Sequence, residues 1–94
     1  MGSTIEFDVL KTLSTYDKST SKILYWCLYH KGKKSYERTF KYEDDMLRLV
    51  LYYKKGKLQG KSEYKYNKNG FLTELTHYNK KKKLIDIIRL SYEI

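Results

Sequence analysis

Residues 52–72 read YYKKGKLQGKSEYKYNKNGFL, a run holding four tyrosines, six lysines and three glycines. The mixture suits a surface that grips nucleic acid or one period of a β-repeat. Its turn chemistry favours the repeat. Asn69-Gly70 and Lys55-Gly56 supply residues that tolerate positive φ, which tight hairpins require. Between them, KSEYKY sets Ser62, Tyr64 and Tyr66 against Lys61, Glu63 and Lys65, the period-two alternation of a strand.

Working outward, the dipeptides Tyr16-Asp17, Tyr42-Glu43 and Tyr66-Asn67 recur at spacings of 26 and 24 residues. Each precedes a polar turn and an apolar run ending in tyrosine. Aligned on those runs, Ile23, Leu47 and Leu72 correspond, as do Trp26, Val50 and Leu75. Tyr29, Tyr53 and Tyr78 close the three runs, and the lysine-rich turns HKGKK, KKGKL and NKKKKL follow. Gly32 and Gly56 occupy matching positions, and Lys81 or a neighbour stands in for the glycine of the third turn.

Each unit of ~25 residues therefore predicts strand, turn, strand, turn. Strands are expected at 4–13, 22–30, 35–42, 47–53, 61–66, 71–78 and 84–93, with consecutive strands as neighbours. The expected fold is mainly all-β: one domain over 1–94, an antiparallel meander of about seven strands. ILYWCLYH is apolar on both sides and predicts a strand covered on both faces, whereas KSEYKY predicts a strand solvated on one. A curved or partly rolled sheet accommodates both. In LIDIIRLSYEI the isoleucines favour a strand, but Leu84, Ile87, Ile88 and Tyr92 also form a helical stripe.

The chain's 94 residues allow one modest core, and eleven tyrosines dominate its aromatic content. Tyrosine suits a half-buried sheet face, with an apolar ring and a hydroxyl that stays wet. The formal charge is +9, concentrated at residues 54–83, where ten lysines face Glu63 and Glu74 for a local +8. That asymmetry favours an anionic partner, although lysines also guard exposed sheet edges against aggregation. The single Cys27 rules out an intramolecular disulfide. MGSTIEFDVL lacks a basic region followed by an apolar run, and no ~18-residue apolar stretch occurs, so a cytoplasmic, non-membrane protein is expected.

Tyr53, Gly56, Lys57, Leu58, Gly60, Tyr64, Asn69, Gly70 and Leu72 together resemble the MORN-variant repeats of YwqK-type antitoxin proteins. Tyr66-Asn67, Gly70 and Leu72 are also similar to the YD repeats of RHS proteins. The likeness covers about a third of the chain well: Tyr16 to Phe40 lacks the Gly-Lys-Leu signature, and the last unit lacks its glycine. It implies a β-repeat scaffold used for partner binding, with no catalytic residues to carry over.

Tests for chemistry return little. Cys27 and His30 are three apart, a spacing that points to opposite faces of a strand, and no second Cys/His pair completes a zinc set. No metal or cofactor is expected. Glu43-Asp44-Asp45 fits turn chemistry better than cation binding. His30 and His77 lack a companion motif, and phosphate-binding or nucleophile signatures are absent. Arg48, Tyr52, Tyr53 and His77 would serve a small basic ribonuclease if neighbouring strands assembled them.

The leading expectation is a non-enzymatic binding protein that masks or inhibits a macromolecular partner. An antitoxin, an immunity protein or a phage-encoded inhibitor of a bacterial defence system fits this description. Its partner would be a protein with an acidic surface or a nucleoprotein complex. The candidate partner-binding residues are Tyr52, Tyr53, Lys54, Lys55, Lys57, Lys61, Tyr64, Lys65, Tyr66, Lys80, Lys81, Lys82 and Lys83. The alternative is an RNA or single-stranded DNA binder, its lysines neutralising phosphates and its tyrosines stacking on bases.

Overall fold

The computed structural model of the chain describes residues 10–92. Seven strands follow in order: β1 (Leu10–Tyr16), β2 (Ile23–His30), β3 (Lys33–Glu43), β4 (Met46–Lys54), β5 (Lys57–Tyr66), β6 (Leu72–Asn79) and β7 (Leu84–Arg89). They form one antiparallel sheet in chain order, an open meander that does not close into a barrel. Substantial contact runs only between consecutive strands. The expected all-β meander is thus observed, with two adjustments at its ends. The segment after Lys83 is the expected strand and not the helical alternative, since Glu74, Leu75, Thr76 and His77 pair with Arg89 back to Asp86. It runs Leu84–Arg89, shorter than the expected 84–93. The first strand runs on to Tyr16, and positions 4–9 of the expected 4–13 strand lie outside the described residues.

The turns follow from their residues. Lys31-Gly32, Asp44-Asp45 and Lys55-Gly56 are two-residue connections with positive φ throughout, the mirror-image turn whose twist matches the flanking strands. Asp tolerates this region because its short side chain bonds locally. The other three connections are longer and built on an Asx side chain. Asn67 Oδ1 accepts from the N–H groups of Asn69 and Phe71. Asn79 Oδ1 accepts in the same way from Lys81 and Lys83. Asn69-Gly70 is therefore not a two-residue hairpin: the loop spans Asn67 to Phe71, and Gly70 alone carries the positive φ. Lys82, at φ 63°, is the residue standing where glycine would.

Every hairpin contains one register shift, and each falls immediately before a tyrosine: Tyr16, Tyr29, Tyr42, Tyr53, Tyr66 and Tyr78. The unpaired residue always sits on the following strand, as Ser35 does opposite Leu28 and Tyr29. Six such bulges add local twist and pin the pairing. They also free carbonyls for other uses: Ser35 O accepts from Lys55 N–H in the next hairpin, and Thr73 O from Leu90 N–H.

Among the described residues no second layer covers the sheet. Among the described residues only Cys27 and Val50 are buried apolar side chains, with Ser62 and Thr76 as buried polar ones. This corrects the expectation that ILYWCLYH is covered twice. Apart from Cys27, its side chains are half-buried or exposed, shielded by cross-strand neighbours. The tyrosine-rich composition now has a physical reason: large rings shelter the ladder while their hydroxyls reach water or a carbonyl. No helix among the described residues is long and apolar enough to cross a membrane.

A candidate binding face and a cationic end

Paired residues in an antiparallel ladder share a face, and alternate residues along a strand take opposite faces. The observed register therefore divides the sheet into two unlike surfaces. One carries Trp26, Arg38 and Tyr52 in a single cross-strand row, with Tyr36 and Lys54 paired beside it. Phe40, Val50, Ser62, His77 and Asp86 form the next row of the same surface, and Tyr64 pairs with Leu75 beyond them. This is the aromatic face. The other surface carries Cys27, Glu37 and Tyr53, then Lys61 and Tyr78, then Glu63 and Thr76, then Lys65, Glu74 and Arg89.

Charge is handled differently on the two. On the second face each glutamate has its own cation: Glu63 with Lys61 at 3.0 Å, and Glu74 with Lys65 and Arg89 at 3.3 Å each. Glu37 meets Lys34 at 4.0 Å and also accepts the hydroxyl of Tyr25. The Arg89 and Lys65 side chains hold the Glu74 carboxyl below its usual range. Burial, reinforced by the Glu37 bond, raises the Tyr25 phenol. The glutamates of this surface are thus all ion-paired.

On the aromatic face, Arg38 and Lys54 enter no ion pair among the described residues. The guanidinium of Arg38 instead lies between two rings, 5.4 Å from the Trp26 centroid and 5.3 Å from that of Tyr52. The Lys54 ammonium stands 5.9 Å from the ring of Tyr36. Such contacts orient a cation without cancelling its charge. A groove of about 400 Å³ opens here between Trp26, Tyr36, Arg38, Tyr52, Lys54 and Gln59, with Glu37 and Tyr53 also on its wall.

Below the groove, Tyr52 OH and Ser62 Oγ are 2.8 Å apart, and Ser62 Oγ lies 2.6 Å from His77 Nδ1. Ser62 is fully buried, so its hydroxyl links two side chains and is out of reach of an incoming substrate. Gly60 sits in the same strand, where a Cβ would collide with the Tyr78 carbonyl oxygen.

The meander also sorts charge by end. The turns after β2, β4 and β6 all lie at one end of the sheet, about 10 Å apart, since each is separated from the next by two strands. Segments 30–34, 54–57 and 79–84 hold ten lysines and no acidic residue. That spacing is comparable to the ~8–10 Å Debye length at physiological salt, so the three turns act as one cationic edge. At the opposite end Lys22 pairs with Asp45, and Asp17, Glu43 and Asp44 lie alongside. A cleft of about 540 Å³ separates the first two cationic turns, lined by His30, Lys31, Lys33, Lys34, Ser35 and Lys55 among others.

The expected binding set is therefore divided. Lys54, Lys55, Lys57 and Lys80 to Lys83 share the cationic end. Tyr52 and Tyr64 lie on the aromatic face, and Tyr53 on the ion-paired one. Lys61 and Lys65 also belong to the ion-paired face, held by Glu63 and Glu74. The ring of Tyr66 lies 5.7 Å from the Arg48 guanidinium, and its hydroxyl donates to Leu47 O. Trp26, Tyr36, Arg38, Lys31, Lys33 and Lys34 join the site although the sequence reading left them out. The matched glycines Gly32 and Gly56 carried a signal for the lysines, because equivalent turns come to the same end.

The ribonuclease set does not converge. Arg48 pairs with Glu43 toward the end opposite the lysine turns, and Tyr53 faces away from Tyr52 and His77. Cys27 is buried on the ion-paired face, whereas His30 is exposed beside Lys33. No family model, curated protein or solved structure matches the chain.

Proposed function

We propose that this protein is a non-enzymatic binding module that holds an anionic macromolecular surface against its aromatic face, and so masks it. One observation carries the reading: on the ion-paired face Glu37, Glu63 and Glu74 each hold a cation, while on the aromatic face Arg38 and Lys54 enter no ion pair among the described residues and lie against rings. Rigid aromatic anchors flanking an arginine are the composition of binding hot spots. A seven-strand single-layer sheet presents them on a broad, preformed surface, which limits the ordering cost of association. The masking role accords with what the antitoxin-like resemblance implies.

The test is a pair of charge reversals on the two faces. Arg38→Glu is expected to weaken binding of a partner purified from the native host by ~10-fold or more. Lys41→Glu, on the ion-paired face, is expected to change it by less than ~2-fold. Equal losses from both variants, with unchanged melting temperatures, would exclude the aromatic face as the docking surface.

A further inference from the structure

Resting on that reading, we infer that the partner class is single-stranded nucleic acid: an unpaired base enters the Trp26–Arg38–Tyr52 groove, and the adjoining phosphates lie along the lysine end. The groove and the lysine-lined cleft abut. Ser35 and Tyr36 are consecutive, as are Lys54 and Lys55, and Glu37 lines both spaces. A strand leaving the groove thus meets lysines directly.

Three features favour a nucleic acid over an acidic protein. The turn cations at this end are all lysines, which serve phosphates as point charges, whereas fork-shaped carboxylate recognition selects arginine. Lysine is depleted in protein–protein interfaces, and here ten lysines cluster. The ring-and-guanidinium arrangement also matches how unpaired bases are held, by stacking on aromatic faces and guanidinium planes. Gln59, at the groove wall, adds an amide able to both donate to and accept from a base edge. A duplex conceals its bases from such a groove, so the single strand is the form that fits.

Fluorescence anisotropy with a labelled mixed-sequence 12-nucleotide strand tests the inference. With about five phosphates engaged, affinity falls ~100-fold between 50 and 200 mM salt, from a slope of ~0.7 per phosphate for single strands. Lys54→Glu combined with Lys57→Glu is expected to lower both the affinity and that slope. Tyr36→Ala alters an exposed ring and so leaves folding intact; together with Trp26→Phe and Tyr52→Phe it separates stacking from charge. Tyr36→Ala is expected to weaken binding ~5-fold or more at constant salt slope, the lower range for loss of one stacking partner.

Absence of binding at 50 mM salt overturns the inference. So does equal affinity for the matching duplex, or indifference to Tyr36→Ala. Preferential binding of polyglutamate over the strand also overturns it, and points to an acidic protein instead. In each of these cases the Arg38→Glu result with the native partner still decides the proposed function independently.

Discussion

The hydroxyl of Tyr66 donates to the carbonyl oxygen of Leu47 at 2.6 Å, nineteen residues upstream. Tyr42 does the same to Ile23 O at 2.8 Å, and Tyr92 to Leu72 O at 2.6 Å. Ile23, Leu47 and Leu72 are the equivalent positions of the three repeats, so one bond ties each unit to its predecessor. Burial raises the phenols of Tyr42 and Tyr66, as a donor locked on a carbonyl in a sheltered site requires. Tyr66→Phe is expected to cost about 1 kcal/mol in urea unfolding, the usual net value of such a bond. Tyr92→Phe should cost less, because its ring is 49% exposed and water can replace the donor. Equal costs would show that burial does not set the value of the bond.

Gly60 is the position where the ladder admits no side chain. Its added methyl would run into the Tyr78 carbonyl, which is backbone and cannot swing aside. Gly60→Ala is expected to lower stability by about 1–3 kcal/mol, the range for overpacking. Gly32→Ala meets no atom within 4 Å and is penalised only by its φ of +79°, at about 1 kcal/mol. Thermal melts of the two variants compare the mechanisms directly; a smaller loss at Gly60 would mean that β5 and β6 separate freely.

Lys82 and Gly70 occupy the same place in the Asn79 and Asn67 loops, both at positive φ. A side chain there costs about 1–2 kcal/mol, partly offset by the greater chain entropy of glycine. Lys82→Gly should therefore raise stability by roughly 0.5–1 kcal/mol, and Gly70→Lys should lower it by a similar amount. Urea midpoints check both; a destabilised Lys82→Gly would show that the lysine makes a compensating contact.

Asp17 governs the acid limit of the first hairpin. Its carboxylate accepts from Ser19 Oγ at 2.7 Å and from the N–H groups of Ser19 and Thr20 at 2.9 Å each. Those bonds hold its pKa down to about 2, from an ordinary 3.8. A depressed folded-state value means that the contribution is present above about pH 4 and fades as the pH falls toward 2. The drop in melting temperature between pH 5 and pH 2 should shrink in Asp17→Asn, whose side chain remains an acceptor but does not titrate. An unchanged drop would assign acid sensitivity elsewhere, with Glu74 next in line.

Much of the fold was legible because its signals are local. Gly32 and Gly56 mark turns that need positive φ, and the tyrosine spacing marks the hairpins. Tyr29, Tyr53 and Tyr78 occupy equivalent settings, each next to a bulge. The candidate site was less legible. Lys61 and Lys65 sit within the lysine-rich stretch, yet cross-strand or alternate neighbours neutralise them. Lys31 and Lys33 are far from that stretch in sequence and adjoin its turns in space.

The order of residues alone settled that the chain forms turns and strands at a period near 25, since φ preferences and period-two patterning act within a few residues. Only the tertiary structure decided which rings and cations share a surface. One unpaired residue at a bulge reverses the facing of everything beyond it, and ion-pair partners are chosen across strands as well as along the chain. The aromatic face, the ion-paired face and the lysine end are therefore properties of the register.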